Sequence, residues 1–68
     1  MLDEKILEVI NKYEHLHPEC VRMMPKIRQF LVEGRREKAF RWLGFMQGVL
    51  YMAGQFTIEE LANHNRPN

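Results

Sequence analysis

Apolar residues recur at helical spacing in four successive segments of this chain, and no alternating strand pattern runs beyond three residues. In the first segment, the apolar residues at intervals of three and four are Ile6, Val9, Ile10, Tyr13 and Leu16. This spacing predicts an amphipathic helix over about residues 3–16, with Asp3 as its N-cap. Pro18 then ends the helix, because proline disfavours the helical conformation in the residue before it.

The second segment predicts a helix over about residues 18–33, and it contains an internal proline. Its apolar stripe consists of Cys20 or Val21, Met24, Ile27 and Leu31, with Phe30 beside it. Pro18 suits the first position of this helix. Pro25 removes a backbone donor and crowds the preceding turn, so we expect a kink or a restart there. Gly34 is the expected C-terminal cap.

The third segment, residues 35–53, carries apolar residues around more of its circumference than one buried stripe requires. A projection at ~100° per residue places on one broad side Ala39, Trp42, Leu43, Met46, Val49, Leu50 and Ala53. The opposite side carries Glu37, Arg41, Gly44, Gly48, Tyr51 and Gln55, flanked by Phe40, Phe45, Gln47 and Met52. We therefore expect one core face and, opposite it, a groove with two glycines at its floor.

A short fourth helix is predicted over residues 57–64, because Thr57 and Glu60 have the spacing of a capping box. Its expected inward residues are Ile58, Leu61 and Ala62. The result is an all-α fold in one domain, residues 1–68, with a helical hairpin between an N-terminal helix and a short C-terminal helix. A chain of this size hides only ~60% of its unfolded surface. We therefore expect further copies to cover the third helix in a homo-oligomer.

Charge is distributed unevenly along the chain, although the net charge is only +1. Residues 1–21 carry −3, residues 22–56 carry +5 and residues 57–68 carry −1. A basic middle between acidic ends suits an anionic ligand. It equally suits subunits that dock end to middle, and both interpretations stay open.

Three features of the sequence indicate the cellular compartment in which we expect the protein. The single cysteine excludes an internal disulfide and fits a reducing environment. The acidic, amphipathic start does not have the pattern of a signal peptide, and no apolar segment reaches the ~18 residues that cross a bilayer. We expect a cytoplasmic protein that does not contact a membrane.

The sequence offers few residues for metal binding or catalysis. His15, His17 and Cys20 form one cluster of zinc-ligand types, but structural zinc needs four ligands, usually paired across two elements. We expect no metal and a half-buried thiol. Cys20 has no glycine-rich turn or oxyanion donors beside it, and no pair of carboxylates lies in an apolar context. We therefore expect neither enzymatic activity nor a cofactor.

Gly44 and Gly48 have the G-x-x-x-G spacing that lets helix backbones approach closely. Each glycine inside a helix costs ~1 kcal/mol relative to alanine, so a contact should offset that loss. Either a helix of another subunit or a flat ligand beside Arg41, Gln47 and Tyr51 would provide it. The residues expected at the contact between copies are Gly44, Gly48, Trp42, Phe45 and Met52.

Basic residues cluster on the second helix, the hairpin turn and the start of the third helix. They are Arg22, Lys26, Arg35, Arg36, Lys38 and Arg41. Arg35 and Arg36 lie near a helix N-terminus, where backbone donors favour anions, and arginine matches phosphate oxygens. The cluster is compatible with a solvated face, a phosphate-bearing partner or an acidic protein. Duplex DNA fits it less well, because no recognition-helix motif accompanies it.

The stretch formed by residues 34–67 resembles a family of very short bacteriophage proteins. The shared pattern is EKA-x-RWLGF-x-QG followed by a short helix that ends in HN, found here at residues 37–39, 41–45, 47–48 and 64–65. This resemblance covers about half of the chain and implies a phage origin, hence an infected bacterial cytoplasm, without implying an activity. The architecture is also loosely similar to phage sponge proteins, oligomers of helical hairpins that sequester cyclic-oligonucleotide signals of host immunity.

Together these features predict an oligomeric, phage-type protein that sequesters a phosphate-bearing nucleotide signal of host antiviral defence without catalysis. The expected ligand-binding residues are Arg35, Arg36, Arg41, Gln47, Tyr51, Gln55, Asn65 and Arg66. The arginines of the third helix would hold phosphate, the tyrosine would stack on a base and the glutamines would read the edge of that base. Asn65 and Arg66 would close the pocket from a neighbouring copy. The alternatives are a module that inhibits a host protein and a nucleic-acid-binding accessory protein.

Overall fold

The structure is a computed structural model that describes residues 2–66, with side chains from Glu4 onward, and every regular element in this range is helical. The four helices are α1 (Leu2–Tyr13), α2 (Pro18–Val32), α3 (Arg36–Met52) and α4 (Ile58–His64). The predicted all-α fold is confirmed. α1 starts before Asp3, the predicted N-cap, whose side chain lies outside the described residues, and it ends three residues early because 14–16 form a turn.

α1 packs through the apolar stripe that its periodicity predicts. Ile6, Val9, Ile10 and Tyr13 are all buried. Leu16 lies in the turn after the helix, where its amide donates to the carbonyl of Tyr13 at 3.0 Å, and its side chain packs against the same core. The amphipathic pattern therefore continues to contribute to the core after the helix itself has ended.

α2 is one continuous helix, and the restart considered at Pro25 does not occur. His17 is its N-cap, and the Nδ1 atom of His17 accepts a hydrogen bond from the amide of Glu19 at 3.1 Å. Pro25 has no N–H to donate to the carbonyl of Val21, four residues earlier. Both residues are exposed, so water can donate a hydrogen bond to that carbonyl and the helix continues.

Glycines end both long helices in the left-handed conformation. Gly34 and Gly54 each have φ = 74°, which side chains disfavour. After α2, Gly34 donates to the carbonyl of Leu31 at 3.1 Å. Arg35 donates to the carbonyl of Phe30 at 2.8 Å, which completes a Schellman motif. This tight exit brings α3 back along α2, and the two helices make the most extensive contact in the fold, as the predicted hairpin requires.

The core lies between the α2–α3 hairpin and α1. Besides the residues of α1, its buried apolar side chains are Cys20, Met24, Ile27, Phe30, Ala39, Leu43, Met46, Leu50 and Leu61. α4 contributes one buried side chain to this core, Leu61. Ile58 is 61% exposed, and Ala62 is also exposed. The expected inward orientation of Ile58 and Ala62 is therefore wrong.

α3 is covered on one side only. Its buried side faces the core, while Phe40, Phe45, Tyr51 and Met52 on the other side are exposed. Within the described residues, no helix is both long enough and apolar enough to cross a bilayer.

Candidate functional site

A cluster of polar side chains ties α3 to α1 and α4. Gln47, on the buried side of α3, is only 9% exposed. Its Nε2 atom lies 3.0 Å from the Oη atom of Tyr13 and 2.8 Å from the Oδ1 atom of Asn65. The Nδ2 atom of Asn65 returns a hydrogen bond to the Oε1 atom of Gln47 at 3.0 Å. The two amides thus form a reciprocal pair, and Tyr13 takes the remaining hydrogen of Gln47.

The direction of each hydrogen bond in this cluster follows from the chemistry of an amide. The Nε2 atom of Gln47 can only donate, so the hydroxyl oxygen of Tyr13 accepts from it. The hydroxyl hydrogen of Tyr13 is then available to the Nδ1 atom of His64, which lies 2.7 Å from the hydroxyl oxygen. Nδ1 accepts this bond in the neutral imidazole that carries its hydrogen on Nε2. Protonation of His64 at Nδ1 would require the Tyr13 hydroxyl to turn away.

Burial shifts the pKa values of the titratable groups around this cluster. Desolvation raises the pKa of the Tyr13 phenol, whose hydrogen bond from Gln47 acts in the opposite direction. Desolvation lowers the pKa of His64, and the charge of Lys12 lowers it further. Burial, followed by the charge of Glu19, raises the pKa of the Cys20 thiol. The thiol therefore stays protonated, a form that is a poor nucleophile.

A shallow groove of about 340 Å³ runs between α3 and α4. Its lining consists of Gly44, Gln47, Gly48, Tyr51, Ile58, Leu61, Ala62 and Asn65. A Cβ atom added to either glycine would meet nothing within 4 Å in the described chain. The predicted groove with a glycine floor is therefore present, and no helix of the same chain fills it.

The groove continues into an exposed surface of α3, which we call the open α3 face. Its members are Phe40, Arg41, Gly44, Phe45, Gly48, Tyr51 and Met52. Met52 is 82% exposed and Phe45 is 52% exposed, so large apolar side chains lie next to one another on this face. Trp42 is different: it is partly buried, and its ring packs 6.2 Å from that of Phe30 in its own chain.

The basic residues of the hairpin turn lie at the N-terminal end of α3. Arg35 and Arg36 border an exposed depression together with Glu37 and Lys38. The Nε atom of Arg35 lies 3.4 Å from a carboxylate oxygen of Glu33. The ammonium group of Lys38 lies 5.6 Å from the ring centre of Phe30, a cation–π arrangement. This end of the helix therefore presents positive charge to solvent.

The structure brings together some of the predicted ligand-binding residues and separates others. Gln47, Tyr51 and Asn65 share the groove, but the amides of Gln47 and Asn65 bind each other. Gln55 follows α3 and donates to the carbonyl of Leu16 at 2.8 Å. Arg41 lies ten residues before Tyr51, or ~15 Å along the helix axis. One copy therefore does not place the arginines beside the tyrosine.

The sequence alone does not show that Tyr13 and His64 belong to the polar cluster. The position of Gln47 among Leu43, Met46 and Leu50 was a signal that its amide is buried. Its partners could not be read from spacing, because Tyr13 is 34 residues away and Asn65 is 18 residues away. Arg66 follows α4 and is exposed.

The zinc-ligand types around Cys20 do not form a metal site in the described part of the chain. Among the described side chains, residues 4–66, no three of His, Cys, Asp or Glu lie close enough together to hold a metal ion. Comparison with known protein families, with curated proteins and with solved structures finds no match to this chain. The resemblance to short phage proteins therefore stays a prediction.

The reciprocal amide pair predicts that Gln47 and Asn65 stabilise the fold jointly. We expect Gln47→Ala and Asn65→Ala each to lower the free energy of unfolding by ~1–3 kcal/mol. The first removes the partner of both Tyr13 and Asn65, and the second leaves the buried Oε1 atom of Gln47 without its donor. The double variant should lose at least ~0.5 kcal/mol less than the two losses added together. Urea unfolding measures all three values. Asn63→Ala, an exposed change in the same helix, should stay within ~0.5 kcal/mol, and additive losses at 47 and 65 would contradict the pair.

His64 predicts that the protein is less stable at mildly acidic pH. Its folded pKa is lowered, so as the pH decreases through about 6.5 His64 takes up a proton in the unfolded chain before it does so in the folded chain. The free energy of unfolding should fall as pH decreases from about 7 to about 5. In His64→Gln this decrease should be smaller, since the titrating ring is gone. Equal pH dependence in the two proteins would mean that His64 is not coupled to folding.

Proposed function

We propose that this protein is a non-catalytic binding protein that acts as an assembly of identical copies, with the open α3 face as the surface between them. The observation that carries the proposal is the exposure of large apolar side chains around two uncovered glycines. The largest apolar patch on a protein surface is often the place where a partner binds. The glycines lower the height of the face at its centre, where another backbone can approach closely.

The ligand that we propose for this assembly is a phosphate-bearing nucleotide, held without turnover, as expected of a phage protein that sequesters a host defence signal. Four exposed cations at the start of α3 supply phosphate partners: Arg35, Arg36, Lys38 and Arg41. Tyr51 is 46% exposed and offers a ring on which a base can stack. Because Arg41 and Tyr51 of one copy are far apart, such a site would combine residues of two copies.

A second candidate function is a module that binds and inhibits a host protein. The apolar character of the groove favours it, because Tyr51, Ile58 and Leu61 suit the apolar side of a partner helix better than they suit a nucleotide. The amides of Gln47 and Asn65, which would otherwise read a base, are engaged with each other. Both functions use the same face, and they differ in what the face binds.

Assembly is tested by placing a larger side chain at the centre of the open α3 face. We expect Gly48→Gln to keep the helical content of the protein, because the new side chain enters open space and glutamine favours helix. It should weaken self-association at least tenfold by filling the gap between backbones. Sedimentation velocity over a range of concentrations measures the effect. Glu8→Gln, an exposed change on α1, should leave association unchanged, and a wild-type monomer at every concentration would contradict the proposal.

The ligand is tested by calorimetry against cyclic nucleotides, cyclic oligonucleotides and ADP-ribose derivatives. We expect one of them to bind, and Arg41→Gln to weaken it by ~10-fold or more, because hydrogen bonds to a charged group contribute ~1.5–3 kcal/mol. Arg22→Gln, which removes a charge outside the open α3 face, should bind normally. An assembled protein that binds none of the panel, but retains one host protein stoichiometrically, would support the second candidate instead.

A further inference from the structure

The open α3 face has an internal symmetry that specifies how two copies would meet. Its centre lies midway between Gly44 and Gly48. On the edge nearer to α4, Phe40 precedes this midpoint by six residues and Tyr51 follows it by five. On the far edge, Arg41 precedes it by five and Met52 follows it by six. At ~100° per residue, the two members of each edge differ by only ~20° around the helix.

We infer that two copies of the chain pair through the open α3 face with their α3 helices antiparallel, so that Gly44 of each copy lies against Gly48 of the other. This arrangement rests on the proposed function, since it presupposes assembly through this face. A two-fold axis that lies between the two helices at this midpoint, perpendicular to both, reverses the direction of the second helix. It leaves corresponding edges of the two copies on the same side of the pair. Phe40 then faces Tyr51 of the second copy, and Arg41 faces Met52 of the second copy.

The distribution of charge favours the antiparallel arrangement over the parallel one. The N-terminal end of α3 carries the exposed cations Arg36, Lys38 and Arg41. The other end adjoins the start of α4, where Glu59 and Glu60 line an exposed depression with Tyr51 and Met52. Antiparallel pairing brings basic and acidic ends together twice, and it also opposes the two helix dipoles. Parallel pairing would bring like charges together.

The size of the face fits a second copy. Three half-exposed aromatic rings and Met52 present on the order of 400 Å² of apolar surface per copy. With the surrounding polar rim, this approaches the ~600–1,000 Å² that each partner buries in a stable interface. The pairing also places an aromatic contact at both ends of the glycine crossing, where edge-to-face or offset rings add to the contact. An isologous pair thus covers the face with its own residues.

Cysteine variants test the orientation directly. In the antiparallel pair, residues 40 and 51 of opposite copies are within ~1.5 Å along the axis, whereas two copies of the same residue are ~15–18 Å apart. We expect an equimolar mixture of Phe40→Cys and Tyr51→Cys to form disulfide-linked dimers under mild oxidation, and neither variant alone to do so. The wild type is the matched control, because its own Cys20 is buried.

The same experiment separates failure of this inference from failure of the proposed function. Linkage within each single variant would indicate parallel helices, which overturns this inference and leaves the proposed interface standing. Dimers that form no link would indicate another face, which overturns the proposed interface and this inference together. Sedimentation at the concentration used for oxidation shows whether dimers are present. A protein that is monomeric at every concentration overturns the proposed assembly and this inference with it.

A charge reversal tests the antiparallel order without altering the apolar face. We expect Glu59→Lys to weaken dimerisation about threefold or more at low salt, because two basic–acidic contacts per dimer become repulsive. The difference from wild type should shrink at high salt. Glu8→Lys makes the same change on α1, outside the open α3 face, and should have a smaller effect. Equal weakening by the two variants would contradict the proposed order of charges.

Discussion

The buried amide of Gln47 is the constraint on which the position of α4 depends. An amide removed from water has to be hydrogen bonded within the protein, or the fold loses a substantial part of its small net stability. Tyr13 of α1 and Asn65, which follows α4, supply those bonds. α4 adds only one buried apolar side chain, Leu61, so the polar cluster carries much of its attachment. Since α4 forms one wall of the groove beside the glycines, the groove depends on the same hydrogen bonds.

The parts of this fold that could be predicted are those encoded by neighbouring residues. The stripe of α1 repeats often enough to identify its buried face before any tertiary contact is known. The capping box of Thr57 and Glu60 is present with both of its hydrogen bonds, at 2.9 and 3.1 Å. Gly34 ends α2 for a similar reason, since a left-handed residue was needed after the last turn. In each case the residues that form the sequence pattern lie within a few positions of the local structure that they predict.

The parts that could not be predicted depend on contacts between distant residues. α4 has only seven residues, which is too short for apolar spacing to fix its rotation, and Ile58 consequently faces solvent rather than the core. The sequence predicts a ligand-binding surface for Gln47 because it shows the polarity of this side chain but not the Tyr13 hydroxyl and the Asn65 amide that bind it. The open α3 face shows the opposite situation. Its exposure follows from helical periodicity, whereas what covers it depends on molecules outside the chain.

The placement of Trp42 has a practical consequence. It is the single tryptophan of the chain, and its ring touches both environments of α3: Phe30 in the interior at 6.2 Å and Phe45 on the open α3 face at 5.9 Å. Indole fluorescence responds to the polarity and mobility of its surroundings. The chain therefore contains an intrinsic optical probe, and whatever covers Phe45 will change its emission without any attached dye.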